Sequence, residues 1–224
     1  MHPLDHAVWS ALTTRQAAFA TGGALALTFP TDVSPLAAAH DGSDEAIDAL
    51  AALIPEGGDL SLLEPTPPEP PPSVRVAKYA AGLQMVARSF TADGRDAPIE
   101  TLGDADAAEM LALATLTKPG PFRTRTHKLG RFLGIRDGGR LVAMAGERLH
   151  AEGFREISAV CTHPDYRGRG YGAALMRAVG ARMLADGDTP FLHSYADNAP
   201  AIALYRSLGF EVRLEVIHAV WARA

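Results

Sequence analysis

One stretch narrows the possible folds of this chain more than any other. Residues 154–164 (FREISAVCTHP) have the pattern of a β-strand closed by Pro164. A turn rich in glycine and arginine follows, YRGRGYG at 166–172. Next comes a helix in which Leu175, Val179 and Met183 recur at every fourth position. A cationic, flexible turn can be a nucleic-acid-binding patch, a solvated loop or a backbone cradle for phosphate, and its flanks help to choose. The first turn of a helix carries unpaired N–H groups and the positive end of the helix dipole, and glycines in front of it let the backbone close around an anion. Arg167 and Arg169 can add charge-assisted contacts. The stretch therefore suits a pyrophosphate, with a solvated loop as the plainer reading. The net charge of −5 and the lack of interleaved aromatics argue against nucleic acid.

The chain around this unit alternates helices and strands. Residues 107–117 read as a helix ended by Lys118-Pro119-Gly120-Pro121. Residues 131–150 read as a hairpin turning at Asp137-Gly138-Gly139. TPFLHSYA (189–196) is a strand, and 198–209 is a helix capped by Asn198, with Pro200 in its first turn and Gly209 as its stop. One or two strands close the chain at 210–221. The first half is harder to read. Strand patterns occur at 23–30, 58–64 and from 73, and a helix capped by Ser43 at 43–54. The run PTPPEPPPS (65–73) is incompatible with a helix or a central strand and reads as an exposed loop or linker.

No Gly-x4-Gly-Lys-Ser/Thr run is present, and the spacing of Gly168, Gly170 and Gly172 does not fit a dinucleotide fingerprint. Arg167-Gly168-Arg169-Gly170-Tyr171-Gly172 instead resembles the Arg/Gln-x-x-Gly-x-Gly/Ala signature of the GNAT acetyltransferase superfamily. Further on, NAPAIALYRSLGF (198–210) is similar to that family's second motif, Asn-x-x-Ala-x-x-Leu-Tyr-x-x-x-Gly-Phe. The clear resemblance covers residues 154–211, and a weaker one, by element order, reaches back to about 99.

The resemblance implies an α/β GNAT fold, a mixed and mostly antiparallel sheet flanked by helices, over residues 96–224. An additional N-terminal α/β region, 1–95, is expected to form a degenerate lobe packed on the first. It also implies transfer of acetyl from acetyl-CoA directly to a small-molecule or peptide amine, with no metal. Arg167, Gly168, Arg169, Gly170, Tyr171 and Gly172 would hold the pyrophosphate, Val160 and Thr162 would offer main-chain bonds to the pantetheine arm, and Asn198 would touch the cofactor besides capping its helix.

An attacking amine must be neutral, and a lysine-like amine has a solution pKa of about 10.4, so a base or a water chain must remove its proton. Tyr205 matches the motif tyrosine that commonly protonates the departing thiolate; by spacing alone it is a core residue sharing a helix face with Ala201 and Leu208. Glu156 is the candidate base, with Glu147 or water as alternatives. His193 reads as a structural histidine, and Cys161 as a small buried residue rather than an acyl carrier. With Cys161 as the only cysteine, an internal disulfide and a cysteine metal cluster are both excluded. The first residues do not form a signal peptide and no apolar run reaches membrane-spanning length, so a cytoplasmic protein without a membrane partner is expected. A homodimer is left open. The rival from another class is a catalytically silent module that senses acyl-CoA.

Overall fold

The computed structural model describes residues 2–92 and 97–224. The first half contains α1 (Ala7–Thr13), three short strands β1 (Thr21–Gly22), β2 (Ala26–Thr28) and β3 (Ala37–Ala39), then α2 (Asp44–Ala52), β4 (Asp59–Glu64) and β5 (Val74–Ala87). The second half runs β6 (Ile99–Leu102), α3 (Ala107–Thr117), β7 (Phe132–Asp137), β8 (Arg140–Ala151), β9 (Phe154–Thr162), α4 (Tyr171–Ala185), β10 (Thr189–Tyr195), α5 (Ala199–Ser207) and β11 (Phe210–Arg223).

Strands β1–β3 form a small antiparallel sheet. The other eight form one sheet in the order β4-β11-β5-β10-β9-β8-β7-β6. Within it β9 and β10 run parallel, and every other neighbouring pair is antiparallel. The mixed, mostly antiparallel sheet follows the sequence-based expectation. Its hairpin β7–β8 turns at Gly138 and Gly139, with φ of +56° and +84°, a conformation that costs a residue with a Cβ.

The two faces carry different cores. Helix α4 packs Leu175, Met176, Val179 and Met183 against Leu133, Ala143, Ala145 and Ile157, and Leu204 and Tyr205 of α5 join this layer. On the opposite face α3 sets Met110 and Leu113 against Phe132, Met144 and Cys161. Helix α1 covers Leu149, Ala151, Val86 and Phe191 on that side too. Helix α2 buries Ile47 and Leu50 beside Leu60, Leu62 and Trp221, and its first turn is capped by Ser43 Oγ, which accepts the Ala46 N–H at 3.3 Å.

The N-terminal region is less separate than expected. The anticipated division between residues 95 and 96 lies outside the described residues. Strand β5, however, pairs along its length with β11 and along five residues with β10, so a strand of the first half lies in the interior of the sheet. The proline run spans the step from β4 over β11 to β5, where it needs no ladder bonds.

Candidate functional site

The parallel ladder between β9 and β10 is short. Its last register pair is Phe191 with Glu156. Beyond it the strands part, because β10 continues along β5 to Tyr195 while β9 follows β8. A bulge enforces the parting. Met144 faces Cys161 and Gly146 faces Ser158, so Ala159 and Val160 together oppose the single residue Ala145. Ala159 has a φ of +53°, an uncommon conformation for a residue with a Cβ. The fork is a cleft walled by Ile157–Val160 on one side and His193–Tyr195 on the other. Tyr205 of α5, the N-cap Asn198 of that helix and the Pro119–Pro121 turn border it, as do Leu36, Leu63 and His218.

At the other end of β9 the glycine-rich turn leads into α4. Gly168 and Gly170 have φ of +76° and +80°, and Gly170 is the N-cap of the helix. The backbone N–H groups from Gly168 to Ala173 find no acceptor among the described residues. Six such donors lie at the positive end of a fifteen-residue helix, a setting whose chemistry suits an anion. Arg169 stacks over the Tyr166 ring at 4.5 Å, while Arg167 extends into solvent. A Cβ on Gly172 would lie 3.9 Å from Val160 and 4.0 Å from Leu204, so the helix start abuts both β9 and α5. Tyr171, with Gly170 and Arg169, borders a second hollow beside this turn.

The remaining expected residues fall in several places. Val160 and Asn198 line the cleft, and Asn198 also accepts the Ala201 N–H at 3.4 Å. Thr162 lies further along β9, opposite Ala143, and is not part of the cleft wall. The Tyr205 ring packs edge-on against Phe210 with centroids 6.4 Å apart, and burial raises the pKa of its hydroxyl. Cys161 points into the α3 core, where burial raises its thiol to about 11. Glu147 is away from the cleft, held by Arg131 Nε at 3.1 Å and Arg155 Nη1 at 3.4 Å.

Glu156 lies beneath the cleft and is fully buried. Its oxygens accept from Arg148 Nε at 2.8 Å, Arg148 Nη2 at 2.5 Å and the Leu149 N–H at 3.3 Å. Its third side is taken by His193 Nδ1 at 2.8 Å. Burial alone would raise this carboxyl, but the Arg148 charge and its hydrogen bonds outweigh that, helped by His193, and hold it at about 2. The tautomer of His193 follows from its neighbours. Gln84 Oε1 accepts from Arg213, so its amide nitrogen donates to the Leu4 carbonyl and to His193 Nε2. His193 therefore carries its proton on Nδ1, towards Glu156.

Arg148, Tyr195, His218 and Lys78 escaped the sequence reading. Lys78 donates to the Tyr195 hydroxyl at 2.8 Å, and that hydroxyl meets His218 Nδ1 at 2.9 Å. An ammonium can only donate, so the tyrosine proton goes to His218. Burial first, then Lys78, Arg148 and His193, push the pKa of His218 down to about 4. One signal was available in the sequence. Glu147 and Arg148 are adjacent on a strand, so one of the two charges had to point inward.

No helix among the described residues is long and apolar enough to cross a membrane. Residues 132–222 match the family model described as FR47-like protein. The N-alpha-acetyltransferase RimI of Mycobacterium tuberculosis is 36% identical over 133 residues, which is 54% of this chain and 83% of that protein. A mycothiol acetyltransferase of Corynebacterium aurimucosum is 43% identical over 79 residues, 34% of this chain. The chain spans only 25% of that longer protein. A solved structure from Novosphingobium aromaticivorans, described as an acetyltransferase from the GNAT family, covers 100% of both chains at 42% identity and a TM-score of 0.92. Two motifs in order, a forked parallel strand pair, and likeness over most of RimI and the whole of the Novosphingobium chain converge on one assignment: the chain belongs to the GNAT acetyltransferase family.

Proposed function

We propose that the protein transfers an acetyl group from acetyl-CoA directly to an amine bound in the fork between β9 and β10. The observation that carries this reading is the continuity of the site. A helix N-terminus with free N–H groups stands at one end, bulged strand backbone runs along the middle, and a tyrosine hydroxyl lies at the cleft. Gly168–Ala173 supply donors for the diphosphate, and Ile157–Val160 lie along the pantetheine arm. Main-chain N–H groups near Val160 are placed to receive the charge that develops on the carbonyl oxygen during attack. In the transfer a C–N bond forms and the C–S bond breaks.

Tyr205 protonates the departing thiolate. A tyrosine is a weaker acid than a thiol in water, but the same dry surroundings that raise Tyr205 raise the thiol as well, so the transfer is not steeply uphill. Glu156, expected as the base, suits a different task. A carboxylate held at about 2 and bonded on every side is a poor proton acceptor, so it acts as a positioning residue for Arg148 and His193. Water at the cleft mouth takes the ammonium proton.

The test is thiol release from acetyl-CoA in the presence of a panel of amines, alongside calorimetry of CoA binding. Amine-dependent release with acetylated product supports the reading. Tight CoA binding with no release by any amine would favour an acyl-CoA sensor, and absence of CoA binding would refute both.

A further inference from the structure

The cleft contains a cation that the reaction does not use. Arg148 uses Nε and Nη2 on the two oxygens of Glu156. Its third nitrogen, Nη1, has no protein partner among the described residues, yet it is not among the buried atoms that lack one. The side chain is 10% exposed and forms part of the cleft wall, so its residual exposure is onto the cleft. No Asp or Glu among the described residues lines that cleft. Lys78 and Arg148 are the cations beside His218, and Arg148 is paired with Glu156 on the side away from the cleft. Leu36, Leu63 and Val216 give the cleft an apolar surface.

We infer that the acceptor is a small amine bearing its own carboxylate and an apolar body, and that the free edge of Arg148 recognises the carboxylate. This rests on the acetyl-transfer reading above and names its substrate class. A guanidinium edge matches a carboxylate in shape and charge. Glu156 fixes the other two donors, so Arg148 is pre-set in one orientation and little side-chain freedom is lost on binding. A polyamine or a lysine-rich peptide finds no carboxylate among the described residues of the cleft wall to pair with its further cations.

The experiment compares matched acceptors with the full-length protein. Leucine, methionine and phenylalanine are assayed beside their amides and the amines they give on decarboxylation. The acids are expected to exceed their carboxylate-free partners by at least about tenfold in kcat/KM, as for one charge-assisted hydrogen bond. Equal or better turnover of the carboxylate-free amines overturns the inference while leaving acetyl transfer intact. If no member of the panel reacts, N-acetyl-phenylalanine and N-acetyl-2-phenylethylamine are titrated into the CoA-saturated protein. Binding confined to the carboxylate supports the inference, and no preference, or no binding of either at about 10 mM, overturns it. The double variant Arg148→Gln, Glu156→Gln removes both buried charges together. It should bind CoA normally and lose the preference for the carboxylate, and a folded double variant that keeps the preference removes Arg148 from the role. Failure of the native protein to bind CoA at all would refute acetyl transfer and this inference with it.

Discussion

Replacing Glu156 by Gln deletes one charge and leaves the side chain's shape almost unchanged. The native carboxylate is fully buried and accepts from Arg148 twice, from the Leu149 N–H and from His193. Removing it leaves the Arg148 guanidinium buried without its counter-charge, which typically costs about 3–5 kcal/mol. A second route gives a similar size. The carboxyl is lowered from 4.5 to about 2 on folding. Each unit is worth about 1.4 kcal/mol, so the folded state gains on the order of 3 kcal/mol from its ionisation. Because the folded pKa is depressed, that stability is fully present above about pH 4.5 and lost as the pH falls towards 2. Urea unfolding of native protein and Glu156→Gln at about pH 7 and about pH 3 reads both quantities. The variant should be weaker by about 3 kcal/mol at neutral pH, and the gap should narrow at acid pH. Other carboxylates titrate in both proteins and drop out of the difference. A variant within about 1 kcal/mol of native at neutral pH, or a gap unchanged by acid, would refute the account of this ion pair.

Other expectations follow from the same geometry. Gly170→Val forces a branched side chain to a φ of +80° at the N-cap of α4 and should abolish CoA binding, whereas Arg169→Ala, which removes a cation stacked on Tyr166, should only weaken it; calorimetry showing normal affinity in a folded Gly170→Val protein contradicts this. Tyr205→Phe should lower kcat by about a hundredfold or more with CoA affinity and melting temperature nearly unchanged, and turnover within about twofold of native would remove the hydroxyl from the mechanism. A fragment beginning at residue 97 lacks β5 and leaves the facing edges of β10 and β11 unpaired, so it should not unfold cooperatively; a sharp, native-like melt measured by circular dichroism would disprove the structural role given to the first half.

The second half of the chain was legible because its signals are local. The Asp-Gly-Gly turn, the fourfold spacing in α4 and the cap at Asn198 each state a conformation within a few residues. The site was partly legible for the same reason: the glycine turn and Tyr205 lie inside two compact motifs. What escaped depends on distant pairing. Strand β5 showed its alternation, but nothing within it says that β10 and β11 will flank it. Helix α1 is only two turns long, and strands β1–β3 span two or three residues each, too short to show a period. Arg148 acquires its meaning from Glu156, across a hairpin whose bulged register no local pattern predicts.

The position of β11 also sets the order in which the molecule can be completed. Strands β4 and β5 are made early but are not paired with each other; between them is a slot one strand wide, filled by β11, which follows every other described strand in sequence order. At roughly 5–20 residues per second, β5 leaves the ribosome on the order of ten seconds before β11. During that interval two open strand edges face water, and the sheet depends on pairings such as Ala81 with Ile217, which close large loops and are slow to form. A nascent chain with an open slot and a missing strand is a template for the β11 of another copy. Yield of this protein on expression should therefore fall steeply with synthesis rate and temperature, and a deletion within β11 should unpair β4 and β5 together.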